Sequence, residues 1–529
     1  QMVGDSLLSY TNNRLNSNQY YASGTYSFQV KKNHQFRVQG GFQGLDNLVT
    51  SVGASRAGLS NPDRPYLNLA TGSFGAPSGS ANDFALAGFF GRLNYNFKQT
   101  YLLEATGRYD GSSRFSQLSG KQWGFFPSVS AGWVISKETF MEKLDFINYA
   151  KLRVSYGKLG NQELGSNYPF VAQLNAGTAY YFNNTLTPGS SLNNIPNETV
   201  SWENSAQSNI GVDLAFLKSK LNVTFDIYQK KITDMLIDFP VANALGYAGS
   251  SVIPANAGSM VNKGWEFSAN YRDKVGDFNY SITANLSDVR NEVLDTKGLD
   301  IVQGNQVSRA GFPVRAYQLY RTNRLYQPGE NYNLPYNGTR ITGAGDIKYV
   351  DMDGNDTLNA KDRMLMGNNF PRYDFSLNLN ADYKGFDLNI FLFGVAKRDN
   401  YISGVGVEPF NAGNWFATGL TSALERWTPQ KTNSAYPRLF SGGNGNYIAS
   451  DFWLRNGAFM RVKHITLGYT LDKKWADKIG VQQLRFYVNA VNPLTFSNYE
   501  PGFDPEISNT NGAFYPIMKT TTIGVNLRF

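Results

Sequence analysis

Apolar and polar side chains alternate one by one along this chain in stretches of about 9–11 residues, the length of a tilted strand that crosses a bilayer. From 89 to 98, Phe89, Gly91, Leu93, Tyr95 and Phe97 fall on one face, and Phe90, Arg92, Asn94, Asn96 and Lys98 on the other. The next stretch sets Tyr101, Leu103, Ala105, Gly107 and Tyr109 against Leu102, Glu104, Thr106, Arg108 and Asp110. The pattern returns at 221–228, 278–287 and 373–383; in the last, Phe375, Leu377 and Leu379 oppose Ser376, Asn378 and Asn380. A period of two is the period of a strand, not of a helix, so the chain reads as all-β.

In a soluble sandwich the polar face meets bulk water and is rich in Lys and Glu. Here that face is dominated by Asn, Ser, Thr and Asp, and aromatics sit at the ends of the apolar face, as a wet lumen and interfacial girdles would require. Composition agrees. Aromatics make up 14% of the 529 residues, Gly contributes 52, and charged residues are 17%, against roughly 25% in soluble domains. Mean hydropathy is slightly negative, and no apolar run reaches the roughly 18 residues of a membrane-crossing helix. The expected fold is a transmembrane antiparallel β-barrel.

Short turns such as Lys218-Ser219 and Lys384-Gly385 alternate with long Gly/Asn/Ser-rich loops near 44–84, 159–200, 231–260, 290–372, 397–450 and 492–518. Bacterial barrels place short turns in the periplasm and long loops outside. A walk along the chain gives roughly fifteen spanning strands and puts the C-terminus in the periplasm. Single-chain bacterial barrels close with an even number. The odd count therefore predicts that residues 1–529 are the C-terminal part of one barrel. The start, Gln1-Met2-Val3-Gly4-Asp5, is not a signal peptide, so either a leader has been cleaved or the sequence begins in mid-protein; the odd count favours the second. The last strand sets Ile523, Val525, Leu527 and the terminal Phe529 on one face, resembling the signal read by the outer-membrane assembly machinery.

Several words in the sequence are similar to those of the SusC/RagA family of TonB-dependent transporters from Bacteroidetes. They begin with Gly91-Arg92-Leu93-Asn94-Tyr95 and Tyr109-Asp110-Gly111-Ser112-Ser113-Arg114-Phe115. Gly124-Phe125-Phe126-Pro127-Ser128, Ala131-Gly132-Trp133, Leu152-Arg153-Val154-Ser155-Tyr156-Gly157 and Gly160-Asn161-Gln162 follow. Further on come Tyr383-Lys384-Gly385-Phe386-Asp387-Leu388, the stretch from Arg461 to Tyr469, and Gly502-Phe503-Asp504-Pro505-Glu506. Their order and spacing cover nearly the whole chain. The resemblance implies a 22-stranded plugged barrel. It also implies an N-terminal plug, a TonB-contacting segment and a SusD-like surface lipoprotein as lid, in assemblies of two transporters with two lids. The imported solute would be an oligosaccharide or a peptide, and the barrel would sit in membrane lipid and lipopolysaccharide of the outer membrane. The plug, the TonB-contacting segment and roughly seven strands are not in these residues. A passive porin and a structural or assembly barrel of an envelope secretion complex are the rival readings.

Cys is absent and His occurs twice, which excludes disulfides, thiolate chemistry and Cys/His zinc clusters. The net charge of +8 is spread without a basic run, so a nucleic-acid partner is not expected. The sharpest local motif runs from Asp351 to Asp362. Asp351, Asp353, Asn355 and Asp362 take the first, third, fifth and twelfth positions, with Leu358 at the eighth, a spacing that resembles a structural calcium loop. Gly354 at the fourth place, Asp356 at the sixth and Asp rather than Glu at the end depart from the pattern, and a solvated Asx-rich turn is the alternative. No cofactor is expected, and no catalytic constellation is apparent: His34 and His464 stand on strands with no marked partner. Gly404-Val405-Gly406 lacks a strand–helix context. Asn197-Glu198-Thr199 matches a sequon. Residues 136–148 predict a short helix in a turn, with Phe140, Leu144 and Ile147 on one face. Trp415, Phe416 and Tyr447 are loop aromatics suited either to sugar rings or to loop packing.

Overall fold

The computed structural model describes residues 7–59, 61–182, 184–192, 194–240, 252–332, 334–336, 339–340, 343–404, 407–408, 421–439, 445–507 and 514–529. Among them, fifteen strands share one sheet whose spatial order is the chain order, each strand pairing with the next. The first five are β1 (Leu7–Val30), β2 (His34–Ala57), β3 (Ser78–Phe97), β4 (Tyr101–Ser112) and β5 (Trp123–Val134). Then come β6 (Ile147–Asn161), β7 (Glu203–Phe216), β8 (Leu221–Pro240), β9 (Val252–Val275) and β10 (Phe278–Asp295). The last are β11 (Arg372–Tyr383), β12 (Phe386–Lys397), β13 (Phe459–Thr470), β14 (Gln483–Ser497) and β15 (Thr520–Arg528). Two compact units divide the chain. One holds β1–β5 and the long-loop ends of β6–β9; the other holds their short-turn ends and all of β10–β15.

The turns fix the register. Between β11 and β12, Lys384 and Gly385 both have positive φ (44° and 89°), the backbone of a two-residue hairpin turn that matches strand twist. A side chain at Gly385 would meet the Thr470 carbonyl at 2.6 Å, so the position requires glycine. In this register, like residues face like. In the second unit Phe278 stands opposite Tyr383, Tyr383 opposite Phe386, Phe386 opposite Tyr469 and Tyr469 opposite Phe486. An aromatic row therefore crosses five strands at the short-turn end.

The first unit carries two such rows. Phe97, Tyr101 and Trp133 are cross-strand partners near the short turns, and Phe42, Phe89, Tyr109 and Phe125 are partners on the long-loop side. The rows are separated by the eight-residue steps Phe89 to Phe97 and Tyr101 to Tyr109, about 26 Å along a strand. Leu93 and Leu103, between the rows, are exposed. The alternating apolar face is thus exposed at Phe89, Gly91 and Leu93 on β3 and at Tyr101, Leu103, Ala105 and Tyr109 on β4.

Three expectations need correction. The loop near 231–260 is shorter, because β8 runs to Pro240 and β9 begins at Val252. The loop near 44–84 is shorter, because β2 runs to Ala57 and β3 begins at Ser78. Those strand ends are rich in polar residues and carry no apolar alternation. The helix at 136–148 is instead two 3-10 turns, Ile135–Lys137 and Thr139–Met141, the second without a side-chain cap. Phe140 and Leu144 remain exposed, so no apolar face is buried to hold a helix together.

Candidate functional site

The face opposite the apolar rows is laddered with side-chain hydrogen bonds. Asn209 donates to Asp226 at 2.8 Å, Asn270 to Thr283 at 2.7 Å, Asn285 to Ser376 at 3.1 Å and Asn389 to Asn378 at 2.9 Å. His464 bonds Asn389 within such a ladder, whereas His34 stands opposite Phe97 on the apolar face, its Nδ1 2.9 Å from the Tyr95 hydroxyl; both histidines are strand residues. Arg485 reaches across β13 to Asp387, its Nε donating at 2.8 Å. It passes over Gly468, where any side chain would meet the guanidinium and the carboxylate at 2.4 Å.

The shared words mark the joints between strands and loops. Ser112 hydrogen-bonds Gln162, and Arg114 pairs with Glu163 at 2.9 Å and donates to Asn167 at 2.8 Å. Phe115, Phe126, Val200 and Trp202 form a small buried core there. Gly160 abuts the Phe126 and Trp202 rings, with room for no Cβ. In the second unit Arg461, 2% exposed, donates to Asp504 and Glu506 at 2.6 Å each and to Thr495 at 2.9 Å. Lys463 also pairs with Glu506.

The long loops of the second unit build a core that sequence reasoning missed. Tyr317, Leu319, Tyr320, Leu325, Ile347 and Tyr349 pack with Leu358, Tyr401, Ile402, Trp427, Trp453 and Tyr499. Short strands scaffold it: Ala316–Tyr320 pairs with Arg363–Met366, Thr322–Leu325 with Ile347–Tyr349, and Asp399–Tyr401 with Leu454–Asn456. Asp346, 1% exposed, accepts Arg438 Nε and Nη2 at 2.8 Å each and Asn446 Nδ2 at 2.9 Å. The buried charge is thereby paired, as burial demands. Burial pushes the Tyr401 hydroxyl up to about 12 and raises Tyr349 as well, so both stay neutral hydrogen-bonding groups. Tyr447 stacks on Trp453 with ring centroids 5.6 Å apart, which is loop packing. Trp415, Phe416, Val405 and Gly406 lie outside the described residues.

The acidic loop brings together three of its four expected ligands. Asp351, Asp353 and Asp362 have carboxylate oxygens within 4.8 Å of one another. Asn355 turns away, its Nδ2 donating to Asp353 at 3.0 Å and its Oδ1 accepting the Thr357 amide at 2.9 Å. Asp362 is fully buried and accepts the amides of Met352 at 2.8 Å and Asn359 at 2.7 Å. Desolvation works against the Asp351 charge, but the amides of Asp356, Gly354 and Asn355 hold this carboxyl below its usual range. The sequon Asn197 is engaged in its own turn, accepting the Thr199 amide at 3.0 Å and donating to the Pro254 carbonyl at 2.9 Å.

Where β10, β11 and β12 enter these loops, a cleft of about 430 Å³ opens. Arg290, Arg372, Lys397 and Arg398 line it, with Asp399 as its one lining carboxylate.

Apolar rows exposed between aromatic bands, backed by a hydrogen-bonded polar face, define the wall of an outer-membrane-type β-barrel. The model of the TonB dependent receptor-like β-barrel family matches residues 3–492, and the chain belongs to that family. It is 31% identical to TonB-dependent receptor P3 of Formosa agariphila, over 96% of this chain and 50% of that protein. Its identity to TonB-dependent receptor SusC of Bacteroides thetaiotaomicron is also 31%, over 84% of this chain and 44% of that protein. The RagAB peptide transporter superposes with a TM-score of 0.82 at 23% identity, over 98% of this chain and 56% of that chain. The chain spans about half the length of the curated relatives it matches.

Proposed function

We propose that the chain is the C-terminal part of a SusC-like outer-membrane importer of oligosaccharides or peptides, energised through TonB and working beneath a SusD-like lipoprotein lid. One observation carries the reading: aromatic rows about 26 Å apart bound an exposed apolar face while the opposite face is polar and hydrogen-bonded. Such a wall gives solute a polar path and lipid an apolar one. The plug and the TonB-contacting segment belong, in this reading, to sequence beyond these 529 residues. The short turns and the C-terminus would face the periplasm, and the long loops the lid and the medium. Asp351, Asp353 and Asp362 would hold a structural calcium ion that stiffens the outer loops; three converging carboxylates suit a hard cation.

The test is gentle extraction of the full-length protein from its native outer membrane, followed by mass spectrometry and uptake assays. A polypeptide well above 58.8 kDa, a co-purifying lipoprotein, and uptake lost without TonB are expected. TonB-independent conductance would replace this reading with a porin. Stable partners other than a lid, with unchanged uptake on deletion, would replace it with an assembly scaffold.

A further inference from the structure

The cleft at the mouth of β10, β11 and β12 is lined by two unlike sets of side chains. Phe312, Pro313, Met366 and Phe370 are apolar. The others include four cations, whose charges are unequally engaged. Arg372 is held bidentate by Asp288, Nη2 to Oδ2 at 2.7 Å. Its neighbour Tyr373 has φ +56°, a left-handed conformation rare for an aromatic residue and one that local packing must impose. Arg290 lies 4.0 Å from that same Asp288 and is 72% exposed. Among the described residues no carboxylate pairs with Lys397 or Arg398, and the Arg398 Nε is buried without a hydrogen-bond partner. Its Nη1 reaches only the Pro505 carbonyl, at 3.4 Å. The lining carboxylate is already engaged, because Asp399 accepts the Asn368 amide at 3.1 Å. Asp374 is close enough to Arg398 to interact with it, but it does not line the cleft.

Four cations therefore face the cleft with one carboxylate among them. Of these only Arg398 is half-buried without a paired carboxylate, a charge that is costly unless an anion supplies a partner, while Arg290 and Lys397 are exposed beside it and open to a ligand. A guanidinium and an ammonium side by side are a natural carboxylate receptor. The apolar lining adds a condition: a carboxylate carried next to an apolar surface fits, whereas a fully hydrated inorganic anion would leave that lining wet.

We propose that this cleft binds the carboxylate of the imported solute between Arg290, Lys397 and Arg398, with the adjoining apolar part of the solute against Phe312 and Phe370. The inference rests on the import reading and narrows it to acidic substrates. Two sources offer that chemistry, the C-terminal carboxylate of a short peptide and the uronate end of an oligosaccharide.

The experiment is binding to the full-length protein in detergent. The probes are a short peptide with a free C-terminal carboxylate, the same peptide as its C-terminal amide, an oligouronate, and a neutral oligosaccharide of equal length. One of the two acids is expected to bind and its uncharged counterpart to bind about tenfold more weakly; which acid does so identifies the source. Lys397→Gln and Arg290→Gln are each expected to weaken that acid about tenfold, and Lys397→Glu about a hundredfold. Lys384→Gln, on the distant short turn, serves as the control and should leave affinity unchanged. Unaltered heat-modifiable gel migration shows that each variant is folded. Equal affinity for acid and uncharged counterpart, or an unchanged affinity in folded Lys397→Glu, overturns the proposal. TonB-dependent uptake of neutral solutes alone would also overturn it while leaving the import reading standing, whereas loss of TonB dependence altogether would strike the import reading itself.

Discussion

In the second unit, leucine-like side chains meet two different fates. On the strands, Leu467, Val488 and Ile523 are 50%, 45% and 81% exposed. In the loops, Leu319, Ile347 and Leu358 are 0% exposed. The residue types are alike; the solvents are not. A strand that faces hydrocarbon has its apolar surroundings supplied by lipid and needs no protein core, so its internal interactions are the polar rungs on the other face. A loop that faces water must build its own core and must pair every charge it buries, as Asp346, Arg438 and Asn446 do. The wall and the loop core should therefore fail under different insults.

The largest expected effect is on the loop core. Asp346→Ala strips Arg438 and Asn446 of their shared acceptor, at a cost of about 3–5 kcal/mol. Limited proteolysis should open the loops between 296 and 458, while heat-modifiable migration shows the wall intact. Simultaneous loss of both would erase the distinction between the two regions. Next comes Leu93→Arg, midway between the aromatic rows, with a cost of about 2–4 kcal/mol if lipid lies there. Urea unfolding from bilayers would measure it, and a neutral effect would mean that this face meets water.

Calcium should act on the loops alone. If Asp351, Asp353 and Asp362 hold the ion, a free concentration about a hundredfold above the dissociation constant adds about 2.7 kcal/mol. The reading is the difference in loop protease resistance between calcium and a chelator, and Asp353→Asn should abolish that difference. Asp353 is the informative position because Asp362 is already engaged by backbone amides and would unfold the loop on its own account.

Acid should give the smallest effect. Arg324 and Lys348 hold the Glu330 carboxyl below its usual range, and Arg309 does the same for Asp300. Carboxyls lowered on folding contribute stability above the ordinary carboxylate range near 4. That stability is lost as pH falls through the lowered folded values. Loop hydrogen exchange should therefore rise below about pH 4, and Arg324→Gln should blunt that rise.

Strands and turns were legible because each is a local pattern: alternation from Phe89 to Lys98, a hairpin at Lys384-Gly385, a terminal row ending in Phe529. The loop core was not, because Tyr320, Ile347, Tyr401, Trp427 and Tyr499 come from segments separated by long stretches of chain and share no period. Two connections show the same limit from opposite sides. Phe140, Leu144 and Ile147 have helical spacing, but the segment has no side-chain cap, Phe140 and Leu144 stay exposed and Ile147 already opens a strand, so only 3-10 turns form. Lys473–Ala476 has little pattern, yet it is a helix, with Asp472 capping the Lys474 amide and Ala476 buried. The Asp472 cap was a signal available to sequence reading. Of the calcium spacing, the three carboxylates converge, but Asn355 follows the local preference of its amide for Thr357 and Asp353.

The identity of sheet order and chain order has a consequence for how such a protein can vary over time. Strand pairing is closed on one side by connections of two to twelve residues, so pairing does not depend on what the other side carries. Lengthening a connection from two residues to the 76 that separate Asp295 from Arg372 adds only about 3 kcal/mol of closure entropy. A lineage can therefore exchange whole loop inserts while the hairpins below keep the register they inherited.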